Sequence, residues 1–196
     1  MDRKLRILVA DDDSDIRQYY AELFPRMGHE LVAAAVDGQE LVELSATHQP
    51  DLILTDIRMP VMDGIEASAE VYRQRPIPII VVSGYFDPEL IERAAAQHIM
   101  AYLVKPVERA ALESQIDVSL GRFQELRELE VEIASCRKAL EDRKVIEQAK
   151  RILMQNAGLS ESDAFRRLQR LSGAKNLKMV DIAGMIILAE QALVPA

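Results

Sequence analysis

Five short apolar runs punctuate the first 120 residues, at positions 5–10, 31–36, 52–55, 77–82 and 101–104. Each is rich in Val, Ile or Leu and alternates little with polar residues, the pattern of strands covered on both faces. Stretches of helical length lie between them. Ser14 or Asp15 offers a first cap, Gly28 a stop, and Gly38, Gly64 and Asp87-Pro88 mark turns or helix starts. Five strand–helix units in succession predict an α/β domain with a parallel, doubly wound sheet and right-handed crossovers. Ligands of such sheets sit beyond the carboxyl ends of the strands.

After Pro106 the pattern becomes helical throughout. Residues 108–157 contain no proline and only Gly121, while Leu126, Leu129, Ile133, Cys136 and Leu140 recur at spacings of three and four. That is a seam of about two heptads, which serves either a dimer or packing within the chain. Cys136 on it reads as a small buried filler rather than a reactive thiol. The stripe changes phase near Val145, continues through Ala149, Ile152 and Leu153, and stops at Asn156-Ala157-Gly158. Ser160 with Asp163 three residues on resembles a capping box, opening a helix whose inner face is Ala164, Phe165, Leu168 and Leu171. Gly173 is its expected end, and Met179, Ile182, Ala183, Ile186 and Ile187 line a last helix. The expected organisation is an α/β domain over 1–120, a helical linker or coiled-coil seam over 121–142, and a small three-helix bundle over 143–196.

Charge separates these regions further. The whole chain carries a net charge of −8, but residues 1–120 hold 11 basic and 21 acidic side chains, whereas 121–196 hold 13 and 11. Opposite electrostatics point to two jobs, although basic residues on helices also serve as an ordinary solvated face. One cysteine excludes an internal disulfide framework, and with His29, His48 and His98 scattered it cannot complete a zinc site. The expected compartment is therefore the reducing cytoplasm. The longest apolar run is eight residues, at 182–189, against the roughly 20 that a membrane span requires. Neither a spanning helix nor a signal peptide is expected.

The strand ends carry the chemistry. The first ends in Asp11-Asp12-Asp13, the third in Asp56, the fourth in Ser83 and the fifth in Lys105. Crowded carboxylates repel one another unless a cation sits among them, and Mg²⁺ suits such oxygen ligands. With a lysine and a hydroxyl nearby, this set matches the needs of phosphoryl transfer. Asp56 stands alone at its strand end, in a loop bounded by Pro60 and Gly64, and is the expected nucleophile.

The stretches Ile-Leu-Val-Ala-Asp11-Asp12-Asp13, Asp56-Ile-Arg-Met-Pro60 with Asp63-Gly64, Val-Val-Ser83-Gly and Tyr102-Leu-Val-Lys105-Pro106 resemble a receiver domain of a two-component response regulator. The resemblance implies a flavodoxin-like fold and a sensor histidine kinase that phosphorylates Asp56. It further implies Mg²⁺ on Asp11, Asp12, Asp56 and the backbone carbonyl of Arg58. Ser83 and Lys105 would contact the phosphate, Tyr102 would be an aromatic switch, and Lys105-Pro106 would be a cis peptide. Gly84 stands where that family more often has alanine. Phosphatases with an aspartyl nucleophile share this chemistry, but they place it on the first strand with a second Asp two residues later, so a turnover enzyme is not expected.

Residues 139–188 are similar to the ANTAR family of RNA-binding transcription antitermination regulators. The match rests on Ala149-Lys150, the capped Ala164-Phe165 helix with Arg170, and Asn176 before the last helix. It implies binding of RNA hairpins in nascent transcripts through Lys150, Arg170 and Asn176; a homodimer formed on phosphorylation is the expected partner state. Arg151 and Leu177 depart from the family pattern, where glycine and a basic residue are usual. A tail that binds a protein partner instead of RNA is the alternative. Phe165, lying on the apolar stripe, is expected in the core.

Overall fold

The computed structural model describes residues 4–84, 88–95 and 97–193. Two compact units divide the chain, Met1–Arg127 and Glu128–Ala196.

The first unit is a five-stranded parallel sheet of β1 (Arg6–Ala10), β2 (Glu30–Ala35), β3 (Leu52–Thr55), β4 (Ile79–Ser83) and β5 (Ala101–Val104), in the order β2-β1-β3-β4-β5. The intervening helices are α1 (Ser14–Arg26), α2 (Gly38–His48), α3 (Gly64–Gln74) and α4 (Pro88–Ala95). They cover both faces, as the unalternating apolar runs required. Alternate strand residues still divide between the faces. Ile7, Val9, Leu52, Leu54, Ile80 and Val82 pack with Phe24 of α1 and with Leu112 and Ile116 of α5 (Arg109–Ala157). Leu8, Ala10, Ile53 and Ile79 pack with Leu41 of α2 and with Ala67 and Val71 of α3.

Several boundaries differ from expectation for local reasons. Asp13 caps α1 rather than Ser14 or Asp15, its carboxylate accepting from the Asp15 N–H at 2.8 Å. Strand β4 starts two residues late because Pro78 has no N–H to give a ladder. Asp87 of the expected Asp87-Pro88 helix start lies outside the described residues.

In the second unit the later part of α5 packs with α6 (Glu161–Lys175) and α7 (Met179–Leu193). Their core is Ala149, Leu168, Ile182 and Ala183, flanked by Val145, Leu153, Leu171, Met179 and Ile186. The Ser160 cap forms as expected, its hydroxyl accepting from the Asp163 N–H. Gly173 does not end α6. The helix runs on to Lys175 and stops where Asn176 adopts the left-handed conformation, φ 51°. Two expected core residues are exposed in the single chain. Cys136 lies on the surface, and Phe165 keeps 40% of its area accessible because it sits at the flank of the buried Ala164–Leu168 stripe.

Candidate functional site

Strand order places the chain's polar strand ends on one edge. Ala10 pairs with Thr55, Thr55 with Val81, and Ser83 with Val104, so the residues following each pair emerge together. The order reverses between β1 and β3, and a crevice opens at such a switch point. Asp11 and Asp56 follow those two strands.

The loop after β3 is built to hold Asp56. Its Oδ1 accepts the N–H of Ile57 at 2.6 Å and that of Arg58 at 3.4 Å, which brings the Arg58 peptide against the carboxylate. Gly64 returns to bond the Ile57 carbonyl at 2.9 Å, and a Cβ on Gly64 would collide with the Asp56 carbonyl oxygen. Glycine is therefore required there by close approach. Between them Val61, 83% exposed, is held at φ 67°, an uncommon conformation for a β-branched residue.

Lys105 joins the two carboxylates. Its Nζ lies 2.6 Å from Asp11 Oδ2 and 2.7 Å from Asp56 Oδ2. The side chains of Asp11 and Asp56 are only 3% and 11% exposed, so these charges meet in a partly desolvated site. Burial pushes the Asp11 carboxyl above its ordinary value even against the Lys105 hydrogen bond. Burial draws the lysine down, but its bonds to Asp11 and Asp56 outweigh this and hold it above its ordinary value. Lys105-Pro106 is cis, as expected.

Oxygen atoms of Asp11, Asp12 and Asp56 all lie within 4.8 Å of one another. Three hard oxygen donors at that spacing fit a small divalent cation with remaining positions for water or phosphate. Ser83 is buried at the end of β4, its carbonyl accepting the Lys105 N–H at 2.8 Å. Tyr102 is half-buried in β5, packed against Ile57, Ile65, Val81 and Ala94. Among the described residues, nothing within 4 Å would obstruct a Cβ at Gly84.

Residue types alone did not single out two further groups. Arg17 reaches from the first turn of α1 to the carbonyls of Asp11 and Asp12. Arg93 on α4 bonds Asp63, the α3 cap, at 2.7 Å. The former was legible only as a basic residue one turn beyond the acidic run; the latter needs the tertiary fold.

In the helical unit, the three residues expected to touch RNA differ. Arg170 is exposed on α6, where Arg166 and Arg167 are neighbours at helical spacings of four and three. Asn176 is exposed at the end of that helix. Lys150 departs from expectation: its side chain is 8% exposed, with Nζ 2.7 Å from Glu161 and 3.0 Å from Glu147. Those bonds, Glu161 first, raise the lysine above its ordinary value, and the lysine lowers Glu161. The ammonium that the sequence offered to phosphate ties α5 to the start of α6 instead.

A parallel sheet of this order, with clustered carboxylates and one lysine at its switch-point edge, defines a signal receiver domain, here followed by a helical output unit. The profile for the response regulator receiver domain matches residues 7–117, and that for the ANTAR domain matches residues 134–187. The transcriptional regulatory protein PdtaR of Mycobacterium tuberculosis is 40% identical over 182 residues, spanning 93% of this chain and 89% of that protein. Among solved structures, the signal receiver domain of NarL from M. tuberculosis is 30% identical with a TM-score of 0.56, covering 61% of this chain and 98% of that one. The chemotaxis protein CheY4 of Vibrio cholerae is 28% identical with a TM-score of 0.54, covering 59% and 98%. The chain belongs to the response regulators that join a receiver domain to an ANTAR domain, and it is a signalling regulator. No helix among the described residues is long and apolar enough to cross a membrane.

Proposed function

We propose that this chain is a phosphorylation-controlled, cytoplasmic RNA-binding regulator that promotes transcription antitermination. The observation that carries the reading is Lys105 held between Asp11 and Asp56 at the switch-point edge. Asp56 attacks the phosphorus of a phosphohistidine on a sensor kinase. An Asp56 oxygen–phosphorus bond forms as the phosphorus–nitrogen bond breaks, and the departing imidazole keeps the electron pair and takes up a proton. Asp11, Asp12, Asp56 and the Arg58 carbonyl would hold Mg²⁺, which when bound offsets charge on the phosphoryl oxygens. Lys105 shifts its ammonium toward the transferred group, and Ser83 donates its hydroxyl to it. Tyr102 then repacks, moving β5 and the start of α5. The domain boundaries proposed for these activities are 1–120, 121–142 and 143–196.

The output is binding of hairpins in nascent transcripts by a homodimer. Arg170, with Arg166 and Arg167, supplies salt-sensitive phosphate contacts, and Asn176 reads the loop. Lys150 is reassigned to holding the bundle, since presenting its ammonium to phosphate would forfeit two carboxylate partners. The test compares wild type with Asp56→Asn under acetyl phosphate, by sedimentation and hairpin binding. Wild type dimerises and binds more tightly while Asp56→Asn does not respond. An equal response in both dismisses the switch.

A protein partner for the tail is the second reading, favoured by Met185 and Leu188 of α7, 52% and 66% exposed. Hairpin binding that steepens with falling salt and is lost in Arg170→Ala supports RNA; no hairpin binding at any salt supports the protein partner.

A further inference from the structure

The three consecutive carboxylates after β1 need their backbone held against mutual repulsion, and the side chain best placed to do so carries no carboxylate contact. Arg17 Nη1 donates to the Asp11 carbonyl at 2.7 Å and to the Asp12 carbonyl at 3.0 Å. The peptides on either side of the Asp12 side chain are thereby pinned to α1. Around them, the Asp13 N–H donates to Asp11 Oδ1 at 3.1 Å, Asp13 caps the helix, and the Arg17 N–H donates to the Asp13 carbonyl. Asp12 itself is exposed, so its direction is set through its backbone.

Two cations therefore serve the same acidic loop in opposite ways. Lys105 binds carboxylate oxygens of Asp11 and Asp56, two of the groups that would hold the metal. Arg17 adds permanent positive charge beside them while, among the described residues, its side chain bonds main-chain oxygens alone, and so leaves the carboxylates available. We propose that Arg17 is a positioning residue for divalent-cation binding: it orders the Asp11–Asp12 segment before the cation arrives and lessens carboxylate repulsion without competing for the cation. This rests on the proposed Mg²⁺ site. Pre-ordering of this kind appears in affinity for the ion, because the loop's ordering cost is otherwise met at binding.

The test uses the full chain as wild type, Arg17→Ala, Arg17→Gln and Arg17→Lys. Mg²⁺ affinity is measured by calorimetry, and acetyl phosphate incorporation is followed across a Mg²⁺ titration. Removing the outer partner of a metal ligand typically weakens affinity by about tenfold or more, so Arg17→Ala should need about ten times more Mg²⁺ for half-saturation. Its limiting phosphorylation rate at saturating Mg²⁺ stays near wild type. Arg17→Lys, which keeps the charge, recovers part of the affinity, and Arg17→Gln recovers less. Wild-type affinity in both Arg17→Ala and Arg17→Gln overturns the proposal. So does a loss confined to the limiting rate, which would make Arg17 a determinant of the phosphoacceptor rather than of the cation. Failure of the wild type itself to take up Mg²⁺ is a separate result; it removes the metal reading of the site and this inference with it.

Discussion

At the residue scale, burial decides which charges and rings are available, and His29 is a case with a measurable consequence. It sits in the α1–β2 connection, where Nδ1 is the acceptor for the Leu5 N–H at 3.5 Å. Burial lowers its pKa, and the carboxylates of Glu113 and Asp117 oppose this only in part. A depressed folded value means that the unfolded chain binds the proton first. The stability contribution is thus present above pH 6.5 and is lost as pH falls through the lowered folded value. Solvent screening of this partly exposed ring keeps the loss small. Thermal melts at pH 7.5 and 5.5 should show a smaller drop for His29→Gln than for wild type; identical drops would remove His29 as the cause. The candidate site was legible at this scale wherever chemistry follows from a strand end, as at Asp11, Asp56 and Lys105. It was not legible where a partner comes from another element. Glu147, three residues before Lys150, was visible in the sequence, but Glu161 reaches that lysine only once the bundle forms.

At the element scale, helix ends separate structural from recognition roles. Asn176 terminates α6 in the left-handed region, its N–H bonding the Ser172 and Gly173 carbonyls, so an asparagine there is already explained by backbone geometry. Substitution can divide the two duties. Asn176→Gly keeps the cap and should leave thermal stability unchanged, whereas Asn176→Ala should cost about 1 kcal/mol in the same denaturation measurement. If the amide also reads a hairpin loop, Asn176→Gly binds RNA up to about tenfold more weakly despite its intact fold. Unchanged binding by Asn176→Gly would restrict the residue to capping. The fold itself was readable because each element carries its own period. Strands β3 and β5 begin and end where their apolar runs do. The end of α6 was misread because the stop signal sought was a glycine and the residue that makes the turn is an asparagine.

At the scale of the whole molecule, the stripe along the middle of α5 is what a single chain leaves unfinished. Leu129, Ile133 and Leu140 are 55%, 51% and 60% exposed, and Cys136 lies among them at the same spacing. Periodicity alone could not separate an internal seam from an intermolecular one, which is why Cys136 was expected to be buried. Two heptads of apolar contact are short for an independent coiled coil, so pairing through this stripe should be weak until another contact assists it. Phosphorylation of Asp56 adds about −1.5 to −2 charges and, on the proposed mechanism, supplies that assistance through the receiver. In a parallel, in-register pair Cys136 faces its own copy across the seam, within the reach that a disulfide requires. Mild oxidation of acetyl-phosphate-treated protein should therefore trap a covalent dimer on non-reducing gels. Ile133→Asp, which places a charge in the seam, should abolish both the trapped species and the sedimenting dimer while still accepting phosphate at Asp56. Cross-linking at equal yield with and without phosphodonor would show that the pairing is not switched. A phosphorylated dimer that persists in Ile133→Asp would place the two-fold contact elsewhere in the chain.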